Sequence, residues 1–139
     1  MQAKQPRNIK SGLEYDYLFP RQTSDTYTLT IKKNAGVADT VAFIPKVVQQ
    51  TKAQTQALAK LLQGKTINET CSNIWHFVYN HIRYQKDEDG YEQVRSPSRI
   101  WQDRKRGVDC DCYSTFISSI LYNLNIPHLL RITKYGKDY

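Results

Sequence analysis

Two cysteines, Cys110 and Cys112, open the stretch DCDCYSTFISSILYNLNIP from Asp109 to Pro127, and their position gives the chain a possible chemistry. Phe116, Ile120 and Leu124 form one row at helical spacing, and Ile117 and Leu121 the next. A cysteine at or just before the first turn of such a helix meets unsatisfied backbone N–H groups and a partial positive charge. Both stabilise a thiolate relative to a thiol. The same N–H groups can donate to an oxyanion during acyl transfer. A cysteine on the buried face in mid-helix would gain neither effect. Asn125 is a permitted left-handed residue at the helix exit, and Pro127 prevents the helix from continuing.

Other chemistries fit less well. Cys110 and Cys112 could both reach a metal ion, but a structural zinc site needs four ligands and no second Cys or His pair stands at suitable spacing. His76 and His81 are five residues apart and face different sides of a helix. His128 is the only histidine after Cys110. It lies at the far end of a helix that spans roughly 20 Å, well beyond hydrogen-bond reach of the thiol. Cys112 reads as a semi-buried helix residue, with a redox partner or substitute nucleophile as its functional reading. No cofactor-binding motif is present.

The elements that must position Cys110 can be read with varying sharpness. Residues 1 to about 14 lack periodicity. Tyr27, Leu29 and Ile31 alternate with Thr28, Thr30 and Lys32, which predicts a half-buried strand, and Gly36 marks a turn over 34–39. Lys46 to Gln63 is rich in helix formers and ends at Gly64; its weak apolar face predicts a peripheral helix. Thr66 with Glu69 matches a capping box. Beyond it Ile67, Cys71, Ile74, Val78 and Ile82 recur along one stripe, predicting a buried helix with Cys71 as a small core residue. Asp87-Glu88-Asp89-Gly90 reads as a solvated turn. Ser96-Pro97 reads as an N-cap and first helical position of a short helix ending at Gly107, with Arg104-Lys105-Arg106 as its basic last turn. His128 to Tyr135 reads as a strand.

Composition bounds the remaining choices. A chain of 139 residues with 40% apolar and 24% charged residues suits one globular domain with a modest core. The net charge of +7 could favour anionic partners, but it is spread along the chain and no nucleic-acid-binding module accompanies it. No apolar run approaches the ~20 residues of a membrane span. The polar, basic start is unlike a secretory signal, and three cysteines do not suggest a disulfide framework. A reduced, cytoplasmic setting is the simpler expectation.

The residues from Thr66 to Tyr135 resemble the transglutaminase-like superfamily of papain-related cysteine enzymes. Asp109-Cys110-Asp111 is similar to that family's Gly-Asp-Cys-acidic start, and Leu124-Asn125-Ile126-Pro127 to its Leu-Gly-Ile-Pro helix exit. Ile74, Phe77 and Val78, then Ile82-Arg83-Tyr84, then Arg95-Ser96-Pro97 follow in the family's order. The resemblance implies an α+β fold: a central helix, with cysteine at its N-terminus, packed on the start of an antiparallel sheet that is cut short here. It implies a core domain over 66–139 and an N-terminal extension over 1–65. It also implies that Cys110 attacks an amide carbonyl of a protein or peptide to give a thioester, resolved by water or an amine. Asp111, Cys112, Tyr84 and Trp101 would be supporting residues; Tyr84, Trp101 and Gln102 lie where related enzymes draw side chains to polarise the carbonyl, with core packing or surface exposure as the alternative role of each. Position 112 is cysteine where the family often has an acid, and position 125 is Asn where it usually has Gly. The family's histidine and Asp or Asn fall on strands beyond Tyr139. The expectation is therefore part of a longer enzyme, inactive as it stands, or else an inactive module used for binding or assembly.

Overall fold

The computed structural model describes residues 7–20, 37–86 and 94–133, and over these the chain is helical. A 3-10 turn at Leu13–Leu18 is followed by α1 (Val37–Thr51), a second 3-10 turn at Lys52–Thr55, α2 (Gln56–Leu62), α3 (Ile67–His81), α4 (Pro97–Gln102) and α5 (Cys110–Asn123). Local side chains set several of the ends. Thr66 accepts from the Glu69 N–H at 3.1 Å, and the Glu69 carboxylate accepts from the Lys65 N–H at 3.2 Å. The expected capping box thus forms with its return arm one residue early. Ser96 caps α4 through the Arg99 N–H, with Pro97 at the first position. Asn125 follows α5 in the left-handed region at φ 55°.

α5 is the element on which α1, α2, α4 and the Lys52–Thr55 turn all pack. Its Cys112, Phe116 and Ile120 are fully buried, joined by Leu58, Ala59, Ile74, Phe77, Val78, Ile100 and Trp101 in the main core. Ile117, Leu121 and Leu124 lie at the half-buried edge of that core. Thr115 and Ser119 are also fully buried. The Thr55 hydroxyl donates to Ser119 Oγ at 3.0 Å, and Ser119 donates to the Phe116 carbonyl at 2.7 Å. The Asn123 amide donates to the Lys52 carbonyl at 2.7 Å. Small hydroxyl side chains bring the turn close to α5 while pairing the polar groups this buries. A second cluster joins Ile44, Val47 and Val48 of α1 to Val94, with Leu130 packed against it.

The expected α+β core, a central helix on an antiparallel sheet, is not what these residues form. No strand is present among the described residues, and pairing is limited to an isolated parallel bridge between Tyr84 and Val108. The body of α5 is covered by helices. Residues 128–133 make no ladder: Leu129 is 94% exposed, and His128 turns back to Ser118 with Nε2 and Oγ 2.6 Å apart. The strand expected over Tyr27–Ile31, the turn over Asp87–Gly90 and the end of the strand expected from His128 lie outside the described residues.

Three helix expectations also change. The helix expected from Lys46 starts at Val37, passes through Pro45 and breaks into a 3-10 turn before α2. It is not peripheral, because Leu58 and Ala59 are fully buried and Thr51, Gln54 and Thr55 share the buried side. Polar burial of that kind lowers the apparent amphipathicity of the sequence. In α3 the buried residues are Thr70, Ile74, Phe77, Val78 and His81, whereas Ile67 and Cys71 are exposed. Cys71 is therefore not a core residue. The short helix ends at Gln102 because Arg104 turns inward, where its guanidinium donates to the Ser11 and Trp101 carbonyls. No helix among the described residues is long and apolar enough to cross a membrane.

The bridge beside α5 depends on Gly107. The Gln85 N–H donates to the Val108 carbonyl and the Val108 N–H to the Arg83 carbonyl, both at 2.9 Å. Gly107 sits between them at φ 109°, where an added Cβ would lie 2.5 Å from Gln85 Cβ. Gly107→Ala is expected to cost about 1–3 kcal/mol of stability in chemical denaturation, from backbone strain plus the clash. A loss below about 0.5 kcal/mol, the range of a neutral surface change, would show that the bridge is not held this way.

Candidate active site

The first turn of α5 separates its two cysteines. Successive helical residues are rotated by about 100°, so positions 110 and 112 point to nearly opposite sides. Cys110 occupies the first helical position and is exposed, whereas Cys112 is buried. Cys112 Sγ accepts from Arg95 Nη1 at 3.5 Å, and Arg95 is itself paired with Asp103 at 3.3 Å. Burial, then the Asp111 charge, push the Cys112 thiol up to about 12 against the opposing effect of Arg95. Cys112 thus behaves as a protonated core thiol.

Around Cys110 two backbone donors are engaged by carboxylates. The Cys110 N–H donates to Asp109 Oδ1 at 2.7 Å. The Cys112 N–H donates to Asp111 Oδ1 at 2.8 Å and to the Asp109 carbonyl at 3.0 Å. The bridge to Val108 sets Tyr84 next to this turn, where its ring stacks with Tyr113 at 6.1 Å. Burial, followed by Asp109, Cys110 and Asp111, pushes the Tyr84 hydroxyl up to about 12.

The electrostatics of the thiol run opposite to the expectation from a bare helix terminus. Partial burial, the charges of Asp109 and Asp111, and a hydrogen bond to the Asp109 side chain push the Cys110 thiol up to about 11. The Asp111 backbone amide donates toward the sulfur and favours the thiolate, but is outweighed. Cys110 is exposed as a residue, so the two carboxylates are the removable part of this effect.

Of the residues singled out from the sequence, Cys110, Asp111 and Tyr84 come together, and Cys112 shares the turn from the buried side. Trp101 lies in the core, stacked on Phe19 and Phe77, and its indole N–H donates to Asp16 Oδ1 at 2.8 Å. Gln102 is exposed on α4. Arg104 lies 4.1 Å over the Trp101 ring and is not among the groups acting on Cys110. The three histidines are engaged elsewhere: His76 with the Ser72 carbonyl, His81 with the Phe77 carbonyl, His128 with Ser118 and the Ile126 carbonyl. Among the described residues no group of three or more metal-binding side chains is gathered.

Two participants were not assigned site roles from sequence. Asp109 is the residue most closely engaged with Cys110, and an aspartate directly before a helical pattern is a readable N-cap signal. Arg95 beneath Cys112 carried no such signal, because its partner Asp103 belongs to the turn after α4. Comparison with protein-family models, with curated proteins and with solved structures gives no match to this chain.

Alkylation of the folded chain by iodoacetamide, mapped by peptide mass spectrometry, should leave Cys112 unmodified. The rate at Cys110 should rise about tenfold per pH unit and level off only near 11, because the thiolate is the reacting form. A plateau reached by neutral pH would contradict the carboxylate environment described for Cys110.

Proposed function

We propose that Cys110 is the nucleophile of a transglutaminase-like acyl-transfer or hydrolytic reaction on amides of proteins or peptides. The observation that carries this reading is an exposed thiol at the first position of a helix whose body is buried. That arrangement presents a nucleophile at a fixed point while the helix behind it cannot yield. Attack on an amide carbonyl would give a thioester and release an amine; water or a second amine would then take the acyl group and return the thiol. The resemblance of Asp109-Cys110-Asp111 and of Leu124-Asn125-Ile126-Pro127 to that superfamily supports the same chemistry. A general base is required as well, and the three histidines are committed to other partners.

A second reading is an inactive module of the same kind, used for binding or assembly. The Cys110 thiol raised to about 11 and the engagement of the three histidines with other partners favour it.

The two are separated by incubating the full chain with a glutamine-bearing peptide, hydroxylamine as acceptor and imidazole as external base. The nucleophile reading expects peptide hydroxamate, detected by mass spectrometry, that disappears in Cys110→Ala and persists in Cys112→Ser. Equal product from the wild-type chain and Cys110→Ala would remove the nucleophile reading in favour of the module.

A further inference from the structure

The side of α3 turned away from the core is unlike an ordinary solvated helix face. Asn68, Ser72, Trp75, His76 and Tyr79 are exposed together there, and Glu69 is the only Asp, Glu, Lys or Arg between Ile67 and His81. A helix side that faces water normally carries charges. In their place Trp75 is 57% and Tyr79 46% exposed, with their rings stacked 4.8 Å apart and 9° from parallel. The pair is braced from both ends. The Arg7 guanidinium lies 4.4 Å from the Tyr79 ring centre and donates to the Tyr79 and Ile82 carbonyls. The His76 ring meets Trp75 edge-on at 5.0 Å, and His76 is itself held to the Ser72 carbonyl at 2.7 Å. Exposed aromatic rings already fixed in place, with charge withdrawn from around them, have the composition of the centre of a protein–protein contact. A nucleic acid or an anionic membrane would call for Lys or Arg along the face, and α3 supplies none.

We propose that this face of α3 is the contact of a two-fold dimer, in which α3 packs antiparallel on α3 of a second copy of the chain. The face is complementary to itself in that arrangement. Its large rings, Trp75 and Tyr79, lie toward the C-terminal end of α3, and its smaller residues, Asn68, Cys71 and Ser72, toward the N-terminal end. An antiparallel two-fold passing between positions 73 and 74 sets Trp75 over the partner's Ser72 and Tyr79 over the partner's Asn68, so that large meets small at both ends. A parallel pairing would oppose ring to ring and leave the small residues facing a gap. The charges agree with the antiparallel choice. Glu69 stands at one end of the face and Arg7 beside Tyr79 at the other, so each Glu69 comes to the end of the contact that holds the partner's Arg7. The two helix dipoles then also oppose each other. Trp75 and Tyr79 each offer on the order of 100 Å² for burial. With their neighbours on both copies the contact covers on the order of 1,000 Å², the lower end for a specific interface, which makes the dimer concentration-dependent. The dimer is independent of the reading of Cys110, which lies on α5.

Sedimentation velocity of the full chain tests this, in a reducing agent so that the exposed Cys71 and Cys110 form no disulfides. The chain should pass from monomer to dimer over about 10–100 µM. Trp75→Ala, which removes the ring, and Ser72→Glu, which places a charge beneath the partner's Trp75, should each weaken the dimer by about tenfold or more. Both positions are exposed in the single chain, so the thermal midpoint of the monomer should stay unchanged. Leu129→Glu alters an apolar residue that is still more exposed and lies off α3, and should leave the dimer as it is. A wild-type chain that remains monomeric at about 300 µM would give the face to a different protein and overturn the dimer. Wild-type association in both Trp75→Ala and Ser72→Glu, or its loss only in Leu129→Glu, would overturn it as well.

Discussion

Cys112, Phe116 and Ile120 are withdrawn from water along one side of α5, and that burial determines where the helix can sit and which way its first turn faces. Burying a side chain the size of Phe or Ile is worth about 1.5–3 kcal/mol, so the row anchors the helix against rotation. Rotating α5 enough to bring Cys110 inward would expose Phe116 and break the contact of Cys112 with Arg95. The exposed position of Cys110 is thus a consequence of residues two, six and ten places further on. The hydroxyls of Thr115 and Ser119 complete the same side, where the Lys52–Thr55 turn closes against it.

The first turn is balanced against that rigid body. A helix start offers donors and a partial positive charge, which alone would favour a thiolate. In this protein the sequence Asp109-Cys110-Asp111 places a carboxylate on each side of the thiol, and both fold back onto backbone amides of the same turn. Partial burial, with the charges of the two carboxylates added to it, leaves the thiol harder to ionise than a free one. Tyr84, delivered by the bridge that Gly107 permits, joins this arrangement from outside the helix. The chain therefore holds a thiol in an accessible place while its surroundings disfavour the thiolate, and the two properties have separate physical origins.

Features decided by local chemistry were legible in the sequence. The Thr66 and Ser96 caps, Pro97 at the first position of α4, the start of α5 at Cys110 and the left-handed Asn125 all depend on residues within one turn. Features decided by tertiary partners were not. Ile67 and Cys71 fit a helical stripe as well as Ile74 and Val78 do, and only packing determines that Thr70 and His81 are buried while Cys71 is not. The helix expected over Lys46 to Gln63 reads as peripheral because its buried side includes Thr51, Gln54 and Thr55, which polar partners make tolerable. The strand expected after Pro127 follows from apolar character at Leu129 and Leu130. A strand also needs a neighbour, and among the described residues Leu130 packs on α1 while Leu129 faces water. At the site, the position of Cys110 was readable from spacing, but the sign of its electrostatics was not, since it depends on where the carboxylates of Asp109 and Asp111 point.

Cys110 stands at the exposed head of a buried helix, where partial burial and the charges of Asp109 and Asp111 hold its thiol protonated. Nuclear magnetic resonance of the chain with 13C at the cysteine Cβ positions reads this directly through the chemical shift of Cys110 against pH. The account predicts a titration midpoint near 11 for Cys110. A midpoint at or below about 8.5, the ordinary cysteine value, would contradict it.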